Sequence, residues 1–156
     1  HIFQTYVERG QIDAFPATGK RSGAFCWSQV GADRTYILLN YTGKVEDMST
    51  IAHEMGHGFH YDLSRTQTPI YRNFTISVAE VASTFFENVL FDTLLEKATP
   101  EEKKDLLIQD VQSRVMTICG QIAYFQFEKK LHAAVRAKGD VSKEEMAEMF
   151  VECRKS

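Results

Sequence analysis

The strongest periodic signal in the chain is an apolar stripe near residue 50. Apolar side chains recur there at three- and four-residue intervals, which is the spacing of one face of an α-helix. We therefore predict a helix over about residues 47–62, with this face toward the core. The stripe consists of Met48, Ile51, Ala52, Met55 and Phe59.

Two β-like segments precede this helix. Residues 23–28 and 35–41 are rich in aromatic and β-branched side chains, and the turn-rich residues 31–34 separate them. This order predicts an antiparallel pair of strands. Upstream of both, residues 1 to about 9 carry apolar side chains at helical spacing and run into Gly10, where we expect a short helix to end.

Helical signals fill the remainder of the chain. Thr99 suits an N-cap, Pro100 suits the first helical position, and Glu102 can complete a capping box. The predicted class is mainly α, with a small antiparallel β-hairpin or sheet beside the helices. The predicted helices run from about residue 75 to Lys97, from Thr99 to Gly139, and onward from Ser142, whose capping partner is Glu145.

Composition narrows the class of protein. With 156 residues, 44% of them hydrophobic, the chain can form one domain with a real core. A net charge of −3 gives no reason to expect nucleic acid or an anionic membrane as a partner. No apolar run reaches membrane-spanning length, so we expect a soluble segment. Three cysteines without a close pair argue against a disulfide framework and suit a reducing, cytoplasmic compartment.

Residues 53–57 read His-Glu-Met-Gly-His and carry the clearest chemistry in the chain. Two histidines four apart on a helix lie on one face, so both imidazoles can reach one Zn²⁺. The intervening Glu54 would then lie beside a zinc-bound water and could take its proton. Because His53 and His57 fall just off the apolar stripe, we predict one zinc site per chain at the edge of the core.

The third zinc ligand has two candidate sources. The extended form of the motif needs Gly and His six and ten residues after the first histidine, but these positions are Phe59 and Leu63. The other source is a glutamate from a following helix, and Glu80 lies there in an apolar stretch where an unpaired carboxylate would be costly. Ser77-x-x-Glu80 also fits a capping box, in which Glu80 bonds a backbone N–H instead. The upstream motif favours the ligand role.

The motif and its surroundings together resemble the oligoendopeptidase F branch of the thimet oligopeptidase-like metallopeptidases. This resemblance covers most of the chain, and the combined pattern is much more specific than His-Glu-x-x-His alone. The segments that carry it are residues 19–25, 37–41, 53–60, 78–84 and 125–132.

The resemblance implies a zinc-dependent endopeptidase that acts on short, unfolded peptides. It also implies that the strand near residues 23–25 pairs with the substrate backbone, with Gly23 and Ala24 as candidate contacts. The zinc ligands that it implies are His53, His57 and Glu80, and the catalytic glutamate is Glu54.

Members of this family are several times longer than 156 residues. Residues 1–156 are therefore expected to form a single catalytic-core domain of a longer enzyme, with the remainder of that enzyme as its partner. In the family, a downstream segment supplies a His and Tyr residues that stabilise the oxyanion, and the chain stops before any such segment. Two other hypotheses stay open: a chain that binds zinc and peptide without turnover, and a structural helical domain without metal.

Several other side chains are candidates near the predicted site. His60 shares the helical face of the two motif histidines and could contact substrate or a ligand, although a packed histidine is favoured over a direct ligand. Ser83, Thr84 and Glu87 follow Glu80 on its helix and could orient the ligands, with a solvated or capping role as the alternative. Tyr61 and Tyr71 are expected to pack, and His1 and His132 to be structural or exposed.

Overall fold

The computed structural model describes residues 2–28 and 34–155. It divides into two compact units, the first ending at Lys97 and the second beginning at Ala98. Whether residues 1–156 act as a single domain stays a prediction. In the described residues no helix is long and apolar enough to cross a membrane.

The first unit contains a small sheet and the helices of the first 97 residues. Its class is mainly α with a small sheet, which confirms the predicted fold class. Its elements are α1 (Ile2–Glu8), β1 (Ile12–Asp13), β2 (Phe25–Trp27), β3 (Tyr36–Leu38), α2 (Val45–Ser64), a 3₁₀ turn (Pro69–Tyr71) and α3 (Ile76–Lys97).

The sheet has three strands in the order β1-β3-β2. β2 and β3 are antiparallel, as predicted, with Cys26 opposite Ile37. β1 pairs in parallel with β3 and was not predicted, because two residues carry no periodicity. Most of the predicted turn at 31–34 lies outside the described residues.

Helix α2 begins where a carboxylate organises the preceding turn. Asp47 accepts hydrogen bonds from the backbone N–H of Thr42 (2.7 Å), the Thr42 hydroxyl (2.9 Å) and the backbone N–H of Lys44 (3.0 Å). These bonds satisfy donors at the helix start. Further along α2, Met55 is buried in the core, with Ile51 and Phe59 packed against the same cluster. The middle of the predicted stripe therefore faces inward, whereas Met48 at its start is exposed, and the two motif histidines lie toward α3.

A buried polar network fixes the C-terminal half of α2 to the rest of the unit. The hydroxyl of Tyr6 donates to Asp62 Oδ2 at 2.8 Å and lies 3.2 Å from the carbonyl oxygen of Gly58. Arg65 forms an ion pair with Asp62 at 2.9 Å and a hydrogen bond to the Thr35 hydroxyl at 3.2 Å. The network joins α1, α2 and the start of β3, so the helix that carries the motif has a fixed orientation.

The second unit contains α4 (Pro100–Lys138) and α5 (Lys143–Cys153). The predicted caps are present: the Thr99 hydroxyl accepts from the backbone N–H of Glu102, and the Glu102 carboxylate accepts from the backbone N–H of Thr99. Gly139 ends α4 with a φ of +83°, a left-handed conformation that glycine adopts without strain. A capping box at Ser142 then starts α5.

Candidate metal centre

Three side chains from α2 and α3 meet at one point. The Nε2 atoms of His53 and His57 lie 3.1 Å apart. Glu80 Oε2 lies 3.4 Å from His53 Nε2 and 3.7 Å from His57 Nε2. Two candidate ligands thus come from one turn of α2, and the third comes from the neighbouring helix.

The spacing of these donor atoms fits a zinc ion. Two ligand atoms at tetrahedral positions about one Zn²⁺, each at about 2.0–2.1 Å, lie about 3.3 Å apart. The observed separations range from 3.1 to 3.7 Å. Two imidazoles and one carboxylate also form a donor set found in catalytic zinc sites, which leave a fourth position for water. The residues present therefore suit the cation that the motif predicts.

Each histidine makes a further hydrogen bond to α3: His53 to the side chain of Glu87, and His57 to the backbone of Ala79. His53 Nδ1 lies 2.5 Å from Glu87 Oε1, a hydrogen bond in which the ring N–H donates and the carboxylate accepts. His53 Nε2, the other ring nitrogen, is directed at Glu80. The hydrogen bond to Glu87 raises the pKa of His53. Burial and the charge of His53 lower the pKa of His57, while a hydrogen bond to the backbone of Ala79 opposes that change.

Glu80 is oriented by Ser83, a fully buried residue on the same helix. The Ser83 hydroxyl lies 2.8 Å from Glu80 Oε2, the oxygen that faces both imidazoles. The capping-box alternative does not hold, because Ser77 lies inside α3, which begins at Ile76. Glu80 therefore does not cap the start of α3. Its carboxylate faces the two histidines instead.

Gly56 permits α2 and α3 to approach closely enough for these contacts. A Cβ atom at this position would lie 2.7 Å from Ser83 Cα and 2.8 Å from the carbonyl oxygen of Ala82. Neither atom belongs to a flexible side chain, so any residue larger than glycine would push the helices apart. Gly56 lies between the two motif histidines, and the closest approach of the helices therefore coincides with the ligand cluster.

Glu54 lies on α2 beside the two motif histidines and contacts the sheet through the backbone of Cys26. Its side chain is buried, with 7% of the residue exposed. Burial raises the pKa of Glu54, although the charge of His53 and a hydrogen bond to the backbone of Cys26 oppose that change. The carboxylate therefore lies at β2 and close to the ligand cluster.

The contact with Cys26 places Glu54 at an open edge of the sheet. The backbone N–H groups of Ile37 and Leu39 donate to Gln11 and Asp13, so Ile37 turns its hydrogen-bonding groups toward β1. Cys26, which is opposite Ile37, must then direct its own N–H and C=O away from β3. The outer edge of β2 thus pairs with no described strand, and at Cys26 it is contacted by the buried Glu54 carboxylate.

The two candidate substrate contacts lie just before β2. Gly23 has a φ of +83°, and its carbonyl oxygen accepts a hydrogen bond of 2.8 Å from the Asn40 side chain. Ala24 is half-buried and packs against the core. Because Ala24 lies two residues before Cys26, its side chain lies on the same face of the strand.

His60 is not a member of the ligand cluster. Its ring stacks on Phe74 with a centroid distance of 3.9 Å and an interplanar angle of 11°. Its Nδ1 atom is buried without a hydrogen-bond partner. Tyr61 also packs on Phe74, at 5.1 Å, whereas Tyr71 is exposed. Thr84 bonds only to backbone carbonyls of its own helix, His132 is exposed, and His1 lies outside the described residues.

Sequence reasoning missed three features of the centre. Gly56 stands inside the motif, and a glycine in a helix interior is a signal of close packing. The hydrogen bond from Cys26 and the stack on Phe74 have no local signal, because both pair residues that are distant in the sequence.

The model of peptidase family M3 matches residues 2–155. The chain belongs to peptidase family M3. The chromosomal oligoendopeptidase F of Lactococcus lactis subsp. cremoris is 36% identical over 132 residues, which are 83% of this chain and 22% of that protein. Oligopeptidase PepF of Bacillus subtilis (strain 168) is 28% identical over 156 residues, 99% of this chain and 23% of its own length.

A solved structure has a similar fold. The structure of PZ peptidase A with an inhibitor matches 98% of this chain and 26% of its own, with a TM-score of 0.81 and 19% identity. These findings confirm the resemblance to the oligoendopeptidase F branch. The chain spans less than a quarter of the length of the two curated relatives named above.

Proposed function

We propose that this chain carries the zinc-binding and catalytic residues of an endopeptidase that hydrolyses short peptides. The observation that supports the proposal most is the convergence of His53, His57 and Glu80 within ligand distance of one cation. Membership of peptidase family M3 supports the reaction class. We propose one Zn²⁺ per chain, because an ion of this size and preference fits the donor set.

Zn²⁺ bound by these three side chains would lower the pKa of a water molecule and polarise the carbonyl of a peptide. Glu54 would accept the proton of the attacking water and pass it to the leaving amine. The Glu54 side chain suits this role, because burial and the backbone of Cys26 hold it beside the centre. Glu87 and Ser83 keep His53 and Glu80 in the orientation that ligation needs.

A peptide in extended form would bind along the open edge of β2. Cys26 directs its backbone groups toward this edge, where its N–H is already bonded to Glu54. Strand addition of this kind gives affinity through the peptide backbone and so accepts many sequences. A peptide on this edge would lie near the proposed catalytic side chains without a deep pocket for any one residue.

A second candidate function follows from how much of its relatives the chain spans. The chain spans 22% of the length of the oligoendopeptidase F named first above, and the resemblance implies that the oxyanion is stabilised by residues outside this part of the enzyme. The alternative is a chain that binds zinc and peptide without turnover. Absence of nucleic acid and membrane partners, and a cytoplasmic location, stay predictions.

Zinc content and peptide hydrolysis together test these proposals. We expect about one zinc per chain after dialysis into zinc buffer, and loss of that zinc in the double variant His53→Ala/His57→Ala. His132→Ala, which changes an exposed histidine on α4, is the matched control and should keep the metal. A fluorogenic peptide should be cleaved by the wild-type chain and not after chelation. Zinc without cleavage would favour the second function, and no zinc would refute both.

A further inference from the structure

Phe74 joins the end of α2 to the start of α3 through two aromatic contacts. Its ring stacks on the ring of His60, with centroids 3.9 Å apart and an interplanar angle of 11°. It also lies 5.1 Å from the ring of Tyr61. All three side chains are partly buried. Because α3 begins at Ile76, only two residues later, these contacts fix the point at which the chain enters the helix.

The direction of α3 is set by α2 rather than within α3. The carbonyl oxygen of Thr75 accepts from the backbone N–H groups of Val78 and Ala79, both at 3.0 Å, so Thr75 occupies the N-cap position. An apolar residue just before an N-cap often packs on the fourth residue of its own helix, which here is Ala79. The side chain of Ala79 is a single methyl group, and the ring contacts of Phe74 are with α2 instead.

The contacts between α2 and α3 form a row along two antiparallel helices. The successive pairs are His53 with Glu87, His57 with Glu80, and His60 with Phe74. The first two pairs join an imidazole to a carboxylate, and both include candidate metal ligands. The third pair is a stack of two rings, which needs no cation. It therefore holds the start of α3 against α2 before a metal binds.

Glu80 depends on this contact more than the two histidines do. It lies six residues after Phe74, and its side chain is 45% exposed, so the position of the helix decides where the carboxylate lies. Ser83 orients the carboxylate, but it belongs to the same helix and cannot set the distance to α2. A site binds more tightly when its ligands are held in place beforehand, since less order is then imposed on binding.

We propose that Phe74, stacked on the ring of His60, is a positioning residue that holds Glu80 in place for metal binding. The inference rests on the proposed function, since it concerns the same three candidate ligands. It assigns His60 a role through the face of its ring and not through its nitrogen atoms. His60 Nδ1 is buried without a hydrogen-bond partner among the described residues, so a hydrocarbon ring could replace the imidazole without loss of a bond there.

Zinc affinity, measured by competition with a fluorescent zinc indicator, tests the role of Phe74. Phe74→Ala removes the stacked ring and should weaken zinc binding by at least about tenfold. Phe74→Leu keeps apolar volume without a stacking face, and it should have a smaller effect in the same direction. Tyr71→Ala changes an exposed aromatic residue of the same connection and is the matched control, which should keep the affinity. Circular dichroism checks that each variant is folded.

Variants of His60 separate a ring contact from a nitrogen contact. His60→Phe keeps a ring for Phe74 to stack on and should retain the wild-type zinc affinity. His60→Ala removes the ring and should weaken zinc binding as much as Phe74→Ala does. The double variant His60→Ala/Phe74→Ala should bind no more weakly than either single variant, because both substitutions remove one contact.

A Glu80→Ala background shows whether the effect acts through Glu80. The two motif histidines then bind zinc by themselves and more weakly. Adding Phe74→Ala to this background should cause no further loss of affinity, because the side chain that Phe74 positions is already gone.

The outcomes separate this inference from the proposed function. A wild-type chain that binds no zinc would refute the proposed function and this inference with it. Zinc binding that both Phe74→Ala and Phe74→Leu leave unchanged would overturn the inference alone, since Phe74 would then serve stability only. Weaker binding by His60→Phe would also overturn it, because a nitrogen of His60 would then be needed. A further loss in the Glu80→Ala background would do the same.

Discussion

The α2–α3 pair and the α4–α5 pair are both packed helices, yet they are held together by different contacts. Where α2 meets α3, the contact includes a glycine, a buried serine and two carboxylates that face two histidines. Where α5 meets α4, the contact is aromatic: Phe150 lies 5.5 Å from Tyr124 and 5.4 Å from Phe127.

This difference separates function from stability. Carboxylates and imidazoles in a helix interface stabilise it poorly unless a cation or a hydrogen bond compensates for their lost hydration. Aromatic contacts and capping boxes, in contrast, contribute stability without any ligand. Substitutions in the first pair should therefore alter metal binding and catalysis, and those in the second pair should alter stability alone.

The largest effect is expected from Glu54→Gln. The amide cannot accept a proton, so hydrolysis should fall by about 10²–10⁴-fold while zinc is retained. Kinetics with a fluorogenic peptide and elemental analysis of the same sample measure the two quantities. Normal cleavage by this variant would show that another group takes the proton.

Gly56→Ala tests the close approach of α2 and α3. The added methyl group would meet Ser83 Cα, and we expect a loss of about 1–3 kcal/mol in the free energy of unfolding and weaker zinc binding. Gly120→Ala in α4 is the matched control. No atom lies within 4 Å of the Cβ position there, so this variant should gain about 0.5–1 kcal/mol from helix propensity and keep the zinc affinity. Equal behaviour of the two variants in denaturant and zinc titrations would contradict the crossing geometry.

Glu87→Ala removes the acceptor for His53 Nδ1–H. The imidazole would lose its fixed orientation, and the zinc affinity should fall by about 10–100-fold. Competition with a fluorescent zinc indicator measures the change. Glu96→Ala, at an exposed position further along α3, is the control and should leave the affinity unchanged.

Phe150→Ala is the matching test in the second pair. Loss of the half-buried ring should lower the free energy of unfolding by about 2 kcal/mol, since part of its surface is already exposed. Zinc affinity measured in native buffer should not change. A parallel loss of zinc would mean that the two helix pairs are not separate in function.

The smallest effect concerns Asp47 at the start of α2. Hydrogen bonds from the backbone of Thr42 and Lys44 lower the pKa of Asp47 below its ordinary value. A lowered folded-state pKa means that this contribution to stability is complete above the ordinary pKa of about 4 and is lost as the pH falls through the lowered value. As the pH is lowered from 7 to 3, the melting temperature of Asp47→Asn should fall less than that of the wild-type chain. Identical pH profiles would contradict this role.

Local patterns were sufficient for much of this protein. The apolar stripe of α2, the caps at Thr99 and Ser142, and the glycine that ends α4 are all read from neighbouring residues. The β2–β3 hairpin was predicted, although its strands are shorter than the sequence pattern suggested. β1 was not predicted, because it has only two residues and its pairing partner β3 lies far along the chain.

The ligand cluster shows the same division within one site. His53, Glu54 and His57 follow from a five-residue motif, because helical periodicity alone puts the two imidazoles side by side. The placement of Glu80 against them required α2 and α3 to cross at Gly56, and the position of Glu54 at the edge of β2 required the sheet. These contacts join residues distant in sequence, and their geometry is set by how whole elements pack, which no local spacing encodes. The sequence by itself determined which side chains could bind a metal, and the tertiary structure decided which of them meet.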